Sequence, residues 1–148
     1  MINVKKILVP TDFSKSSDKA LSAALEIAET FDSEIFMIHV IRGGSRIDIL
    51  ESFDDATQKK VRETLEETTS NAFKKQIEKF SLSQKINIKT EVAKGIPYNE
   101  ILYFQKTIDP DMLVISTHGR SGFEEFLFGS TAEKIVRRAT CSVLVVKD

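Results

Sequence analysis

One cysteine, no tryptophan, three prolines and six glycines are all this 148-residue chain holds of the residue types that mark special architectures. The lone Cys141 excludes an intrachain disulfide and leaves no companion for a cysteine-based zinc site, which fits a reducing compartment. So little glycine and proline, beside 41% hydrophobic and 29% charged residues, excludes collagen-like, low-complexity and disordered chains. An excess of one charge is also missing. Lys and Arg number 21 against 22 for Asp and Glu, a formal charge of -1, so there is no global basic field to hold a nucleic-acid backbone. No apolar run approaches the roughly 20 residues of a membrane-spanning helix. Residues 1–6 lead into a short apolar stretch ending at Pro10, without the longer apolar segment and cleavage site of a secretory signal. These absences predict a cytoplasmic protein, one domain over residues 1–148, with neither membrane nor nucleic acid as partner. A chain of this length buries roughly 70% of its unfolded surface.

What is present is a set of short apolar runs. Ile7-Leu8-Val9, Ile35-Phe36-Met37-Ile38, Met112-Leu113-Val114-Ile115 and Val143-Leu144-Val145-Val146 suit strands buried on both faces. The segment Ile86–Val92 alternates with period two, which predicts a strand with one wetter face, nearer a sheet edge. Between the runs the period lengthens. Leu21, Ala24, Leu25 and Ala28 mark a helix from about Ser16 to Thr30, and Val61, Leu65, Ala72, Phe73, Ile77 and Phe80 a longer one. Pro97 opens a third helix that Asp109-Pro110 ends. Ser130-Thr131-Ala132-Glu133 has the spacing of a capping box, predicting a last helix that Ser130 starts and that ends near Arg138. Residues 42–57, with Gly43-Gly44-Ser45, are the least periodic and read as a surface connection. Strands alternating with helices imply an α/β fold, a parallel sheet covered on both sides.

Ligands of open α/β sheets bind beyond the carboxyl ends of the strands, where strand order reverses. Two such ends are conspicuous: Val9-Pro10-Thr11-Asp12 and Ile115-Ser116-Thr117-His118-Gly119. From Ser116 the chain reads Ser116-x2-Gly119-x9-Gly129-Ser130, and the final pair opens a helix whose first N–H groups have no intrahelical acceptor. Those donors and the positive end of the helix dipole form an anion site, and glycines at 119 and 129 let backbone amides approach a polyphosphate. Neither a Walker P-loop nor a Gly-x-Gly-x2-Gly fingerprint occurs.

Lys6-Ile7-Leu8-Val9-Pro10-Thr11-Asp12, Gly95-Ile96-Pro97, Ser116–Gly122, Gly129-Ser130 and the ending Cys141–Lys147, in this order and spacing, resemble the universal stress protein family over essentially the whole chain. The resemblance implies a five-stranded parallel sheet in order 3-2-1-4-5, with a crevice between strands one and four. Nucleotide-binding members carry Gly-x2-Gly-x9-Gly-Ser/Thr. Ser116, Gly119, Gly129 and Ser130 fall on that motif, with Thr131 following as a backbone donor. The implied ligand is ATP, with Mg²⁺, held between Pro10, Thr11 and Asp12 on one side and Ile115 to Thr131 on the other. By the same resemblance Asp12 faces the ribose or a phosphate-bound metal and Val40, ending strand two, borders the adenine. The implied role is a cytoplasmic regulatory switch in stress, with a homodimer formed through the edge strand Val143–Val146.

Ser116 departs from the motif, adding a side chain beside the nucleotide and, were the backbone at positive φ, strain. That departure keeps open an adaptor of the same fold that acts through protein partners without nucleotide. Catalysis is at most slow ATP hydrolysis, since no positioned general base is evident. Asp12 also suits a turn or a helix cap. Arg120 could approach a phosphate, whereas Glu124 and Glu125 in the same loop would oppose one unless they face solvent. His118 fits a hydrogen-bonding role in its loop better than catalysis, and His39 a structural one. Arg137 and Arg138 would lower the Cys141 pKa, burial would raise it, and the inert reading is favoured.

Overall fold

In the computed structural model, which describes residues 2–43, 49–118 and 129–147, all four apolar runs are strands. They form β1 (Lys6–Pro10), β2 (Glu34–Arg42), β4 (Met112–Ser116) and β5 (Ser142–Val146), and the alternating segment forms β3 (Ile88–Gly95). The sheet is parallel throughout in the order β3-β2-β1-β4-β5. Central strands need apolar side chains on both faces, and Ile7, Leu8, Val9, Leu113 and Val114 are fully buried. β3 lies at an edge, as its period predicts, but the four consecutive residues Lys89 to Val92 are exposed, so both of its faces and not one are wet there. β2 runs past Val40 to Arg42, and β3 reaches Gly95. Residues 35–42 pair one by one with 88–95, so backbone hydrogen bonding carries both strands beyond their apolar side chains.

The helices divide between the two faces. On one, α1 (Lys15–Phe31) buries Ala20, Leu21, Ala24, Leu25 and Ala28 against Ile7, Val9, Ile35 and Met37, joined by Phe73 of α2 (Asp55–Glu78). On the other, Ile101 of α3 (Pro97–Ile108) and Ala132 and Ile135 of α4 (Ser130–Arg138) pack on Leu8, Ile38, Val40, Leu113 and Ile115. Caps set the helix ends. The Ser14 side chain accepts the Ser17 N–H, Asp54 accepts from Thr57, and Asp32 and Asp109 close α1 and α3 in left-handed conformation.

α2 departs from its expected apolar stripe. Only Thr69, Phe73 and Gln76 are buried on it, Val61 and Leu65 are half-buried, and Phe80 lies just past its end. The irregular segment is shorter than its sequence predicts: a 3-10 turn at Ile49–Ser52 precedes α2, and residues 44–48 lie outside the described residues.

Two local devices hold the sheet ends. The N–H groups of Lys5 and Lys6 both donate to Asp111 Oδ2, at 2.7 and 2.9 Å, tying the start of β1 to the start of β4. At the other end Gly95 has φ 149°, and a Cβ there would stand 2.8 Å from Glu100 Oε1. Only glycine suits that turn into Pro97. Among the described residues no helix is long and apolar enough to cross a membrane.

Candidate functional site

The strand order reverses between β1 and β4. β1 is followed outward by β2 and β3, β4 by β5 on the other side, and the two central strands pair through Ile7–Met112 and Leu8–Leu113. In open sheets of this kind ligands sit beyond such a reversal, which here falls past Pro10 and Ser116, where the chains leaving β1 and β4 turn to opposite faces. Pro10, Val40 and Ile115 are buried near these ends, and Val40 and Ile115 share one cluster with Ile38 and Ile101.

The lip after β4 is built on Thr117. Its N–H donates to Val146 O at 3.1 Å, and its carbonyl accepts the Gly129 N–H at 2.7 Å. That second bond draws the start of α4 back to the strand end. Gly129, not Ser130, is the N-cap of α4: its carbonyl accepts the Glu133 N–H at 3.1 Å, and a glycine offers no side-chain cap. The capping box expected at Ser130 is thus absent, because the helix begins one residue before the Ser-x-x-Glu spacing requires. Ser130 is the first helical residue and is exposed. The N–H groups of Ser130, Thr131 and Ala132 have no acceptor within their own helix. A Cβ built on Gly129 would meet Thr117 O at 3.4 Å, an ordinary contact, so the fold itself tolerates a side chain there.

Ser116 is extended, in register with Val146, and takes no positive φ. The strain foreseen at this position does not arise, because the residue is the last of a strand and not part of a left-handed turn. Its hydroxyl donates to His118 O at 3.0 Å, and the His118 ring Nδ1 lies 3.0 Å from Thr117 Oγ1. Gly119 and Arg120, with Glu124 and Glu125, lie outside the described residues.

The lip after β1 is held from behind. Thr11 Oγ1 donates to Gln76 Oε1 at 2.7 Å and accepts the Phe13 N–H at 3.0 Å, so its hydroxyl faces α2. Asp12 Oδ1 accepts the Ser14 N–H at 3.0 Å, a turn-type bond, while the cap itself falls to Ser14. Phe13 sits at φ 63°, a left-handed conformation that costs a bulky residue roughly 1–2 kcal/mol. Its ring is held 4.5 Å from His39 and, edge to face, 5.1 Å from Phe73. His39 Nδ1 lies 2.9 Å from Thr11 O, and because a carbonyl only accepts, that nitrogen carries the proton.

Residues 3–147 match the model of the universal stress protein family. The chain belongs to the universal stress protein family. It is 36% identical over 143 residues to universal stress protein MJ0531 of Methanocaldococcus jannaschii, covering 97% of this chain and 82% of the relative. The solved structure of MJ0577, 27% identical, superposes with a TM-score of 0.82 over 98% of this chain and 96% of its own. Two further structures share the fold: a universal stress protein in complex with cAMP (21% identical, TM-score 0.63, covering 98% of each chain) and one from Archaeoglobus fulgidus in complex with dAMP (22%, 0.60, covering 99% and 100%).

This universal stress protein places its buried polar atoms where its sequence gave little notice. Phe13 carries no residue signal for a left-handed turn. Gln76 carries a signal of another kind: it follows Thr69 and Phe73 on one stripe of α2, so a polar side chain stands where core is expected. Among the described residues no group of three or more His, Cys, Asp or Glu could hold a metal. A metal here would be bound chiefly through a ligand's phosphates, as Mg²⁺ commonly is. Cys141, half-buried, has its thiol pKa raised chiefly by burial, a shift that favours the protonated form.

Proposed function

We propose that this universal stress protein binds an adenine nucleotide, as ATP with Mg²⁺, beyond the carboxyl ends of β1 and β4, and that occupancy acts as a regulatory signal under stress. The observation that supports the reading is the Gly129–Thr117 bond, which brings the start of α4, with its first three amide donors, beside the end of β4. Such donors at a helix start favour phosphate. The family membership and the cAMP and dAMP complexes of related structures support an adenine nucleotide as the occupant.

In this reading Ser130 and Thr131 bind phosphate through their amides, with the Ser130 hydroxyl able to add a donor. Gly119 and Arg120 complete the cradle by their place in the motif. Asp12 meets the ribose or the metal, and Val40 borders the base. Mg²⁺ would neutralise phosphate charge, and Asp12 is the carboxylate on the lip that would meet it. Two copies join through β5, an edge strand whose Leu144 is exposed.

The test is the nucleotide content of protein purified without added ligand. Acid release and chromatography are expected to yield an adenine nucleotide in stoichiometric or near-stoichiometric amount. No release, together with no uptake after incubation at millimolar Mg-ATP, favours the adaptor reading that Ser116 keeps open.

A further inference from the structure

The lip that carries Asp12 is attached to α2 by one buried amide and one ring contact. Gln76 is only 2% exposed, and each of its polar atoms is used. Its Nε2 donates to Asp18 Oδ1 at 2.8 Å and to Ser17 Oγ at 3.0 Å, and its Oε1 accepts the Thr11 hydroxyl at 2.7 Å. The carboxylate of Asp18 can only accept, which fixes the amide orientation and leaves Oε1 for Thr11. Ser17 in turn donates to Ser14 O at 2.8 Å, at the cap of α1. Thr11, so held, accepts the Phe13 N–H, and Phe13 packs on Phe73, one turn before Gln76 on the same helix. Asp12 therefore lies between two residues that are both anchored to α2.

We infer that Gln76 is a positioning residue for the nucleotide: through Thr11 and Phe13 it fixes the backbone that presents Asp12, and it couples occupancy of the crevice to α2. The inference rests on the proposed binding reading for its ligand, but its structural half stands apart from it. A buried network with every member satisfied specifies one arrangement, and removing Gln76 takes away the acceptor that ties Thr11 to α2, leaving its hydroxyl only Ser17 Oγ of α1 at 3.0 Å. Coupling is reciprocal, so a ligand that needs the lip ordered must in turn steady the end of α2.

The experiment compares wild type with Gln76→Leu, an apolar side chain of similar size, by amide exchange and by titration with Mg-ATP. Wild type is expected to gain protection at residues 69–79 on adding Mg-ATP, and Gln76→Leu to lose that protection, to exchange faster at Phe13 and Ser14, and to bind roughly tenfold more weakly. Should Gln76→Leu not fold, Gln76→Glu is read instead. It keeps the acceptor for Thr11 but repels Asp18, and Asp18→Asn in the same chain is expected to restore affinity by supplying a donor. Unchanged exchange at Phe13 and Ser14 in a folded variant overturns the inference, whether or not ATP binds. Unchanged affinity in a folded variant overturns it while leaving the binding reading intact. A wild type that binds no Mg-ATP defeats the binding reading and the coupling, leaving exchange to judge the positioning of the lip.

Discussion

The carbonyl oxygen of Thr117 accepts the amide proton of Gly129 at 2.7 Å, closing the excursion between β4 and α4. Eleven residues separate the two in sequence by number, yet the bond returns the chain to the strand end, so α4 starts beside the end of β4. Gly129 stands at that closure with ordinary backbone angles, φ -60° and ψ 153°, and with room for a Cβ. Gly129→Ala is therefore expected to fold with stability within about 1 kcal/mol of wild type. Gly129→Val is expected to weaken nucleotide binding at least tenfold, because its methyls fill space next to the amide donors. Thermal melts and titration separate the two effects, and full affinity in Gly129→Val contradicts the cradle.

Gly95 is the contrasting case. Its φ of 149° and the approach of Glu100 make glycine a requirement of the fold itself. Gly95→Ala is expected to destabilise by about 1–3 kcal/mol. Adding Glu100→Ala relieves the contact but not the backbone strain, so the double variant recovers only part of the loss in urea melts.

Ser116 now has a stated environment. As an extended strand residue whose hydroxyl donates to His118 O, it has no strain for a glycine to relieve. Ser116→Gly is expected to lower stability by roughly 1 kcal/mol, from the added chain freedom and the lost hydrogen bond, and to leave nucleotide affinity within about threefold. Tighter binding by tenfold or more would show that the side chain obstructs the crevice.

The strands were legible because a central parallel strand must be apolar on both faces, a pattern that four runs share, although Val143–Val146 proves to be an edge strand with none of its residues buried. The apolar runs marked the two strand ends, while the strand order that makes them neighbours came from the resemblance to the universal stress protein family. Less legible were the features set by backbone pairing and by single buried polar groups. β2 and β3 outrun their apolar runs because ladder bonds do not depend on side-chain type. α4 starts at Ser130 and ends at Arg138 as its sequence predicts, but its cap is Gly129, because the Ser-x-x-Glu spacing is equally compatible with serine as the first helical residue. α2 misled most, since its half-exposed Val61 and Leu65 suggested a stripe that in fact centres on Phe73 and Gln76. The left-handed Phe13 is held by Phe73, His39 and Thr11, contacts that no local pattern encodes.

Asp111 gives the fold a pH dependence of known sign. Its carboxylate accepts the N–H groups of Lys6 and Lys5, which lower its pKa in the folded state, with burial opposing them weakly. A carboxyl depressed on folding stabilises above its unfolded pKa, and that stability is lost as pH falls through the folded value. Urea midpoints are therefore expected to fall below about pH 4, and Asp111→Asn is expected to be less stable at pH 7 with a shallower loss on acidification. An identical pH profile in Asp111→Asn contradicts this assignment.

The central claim is that amides at the start of α4 and the lip at Asp12 together hold an adenine nucleotide. Calorimetric titration of the purified chain with Mg-ATP tests it most directly. A saturable heat at one nucleotide per chain, abolished in Gly129→Val while that variant melts cooperatively, is the expected result. No heat at millimolar Mg-ATP from a fully folded sample free of bound nucleotide would contradict it.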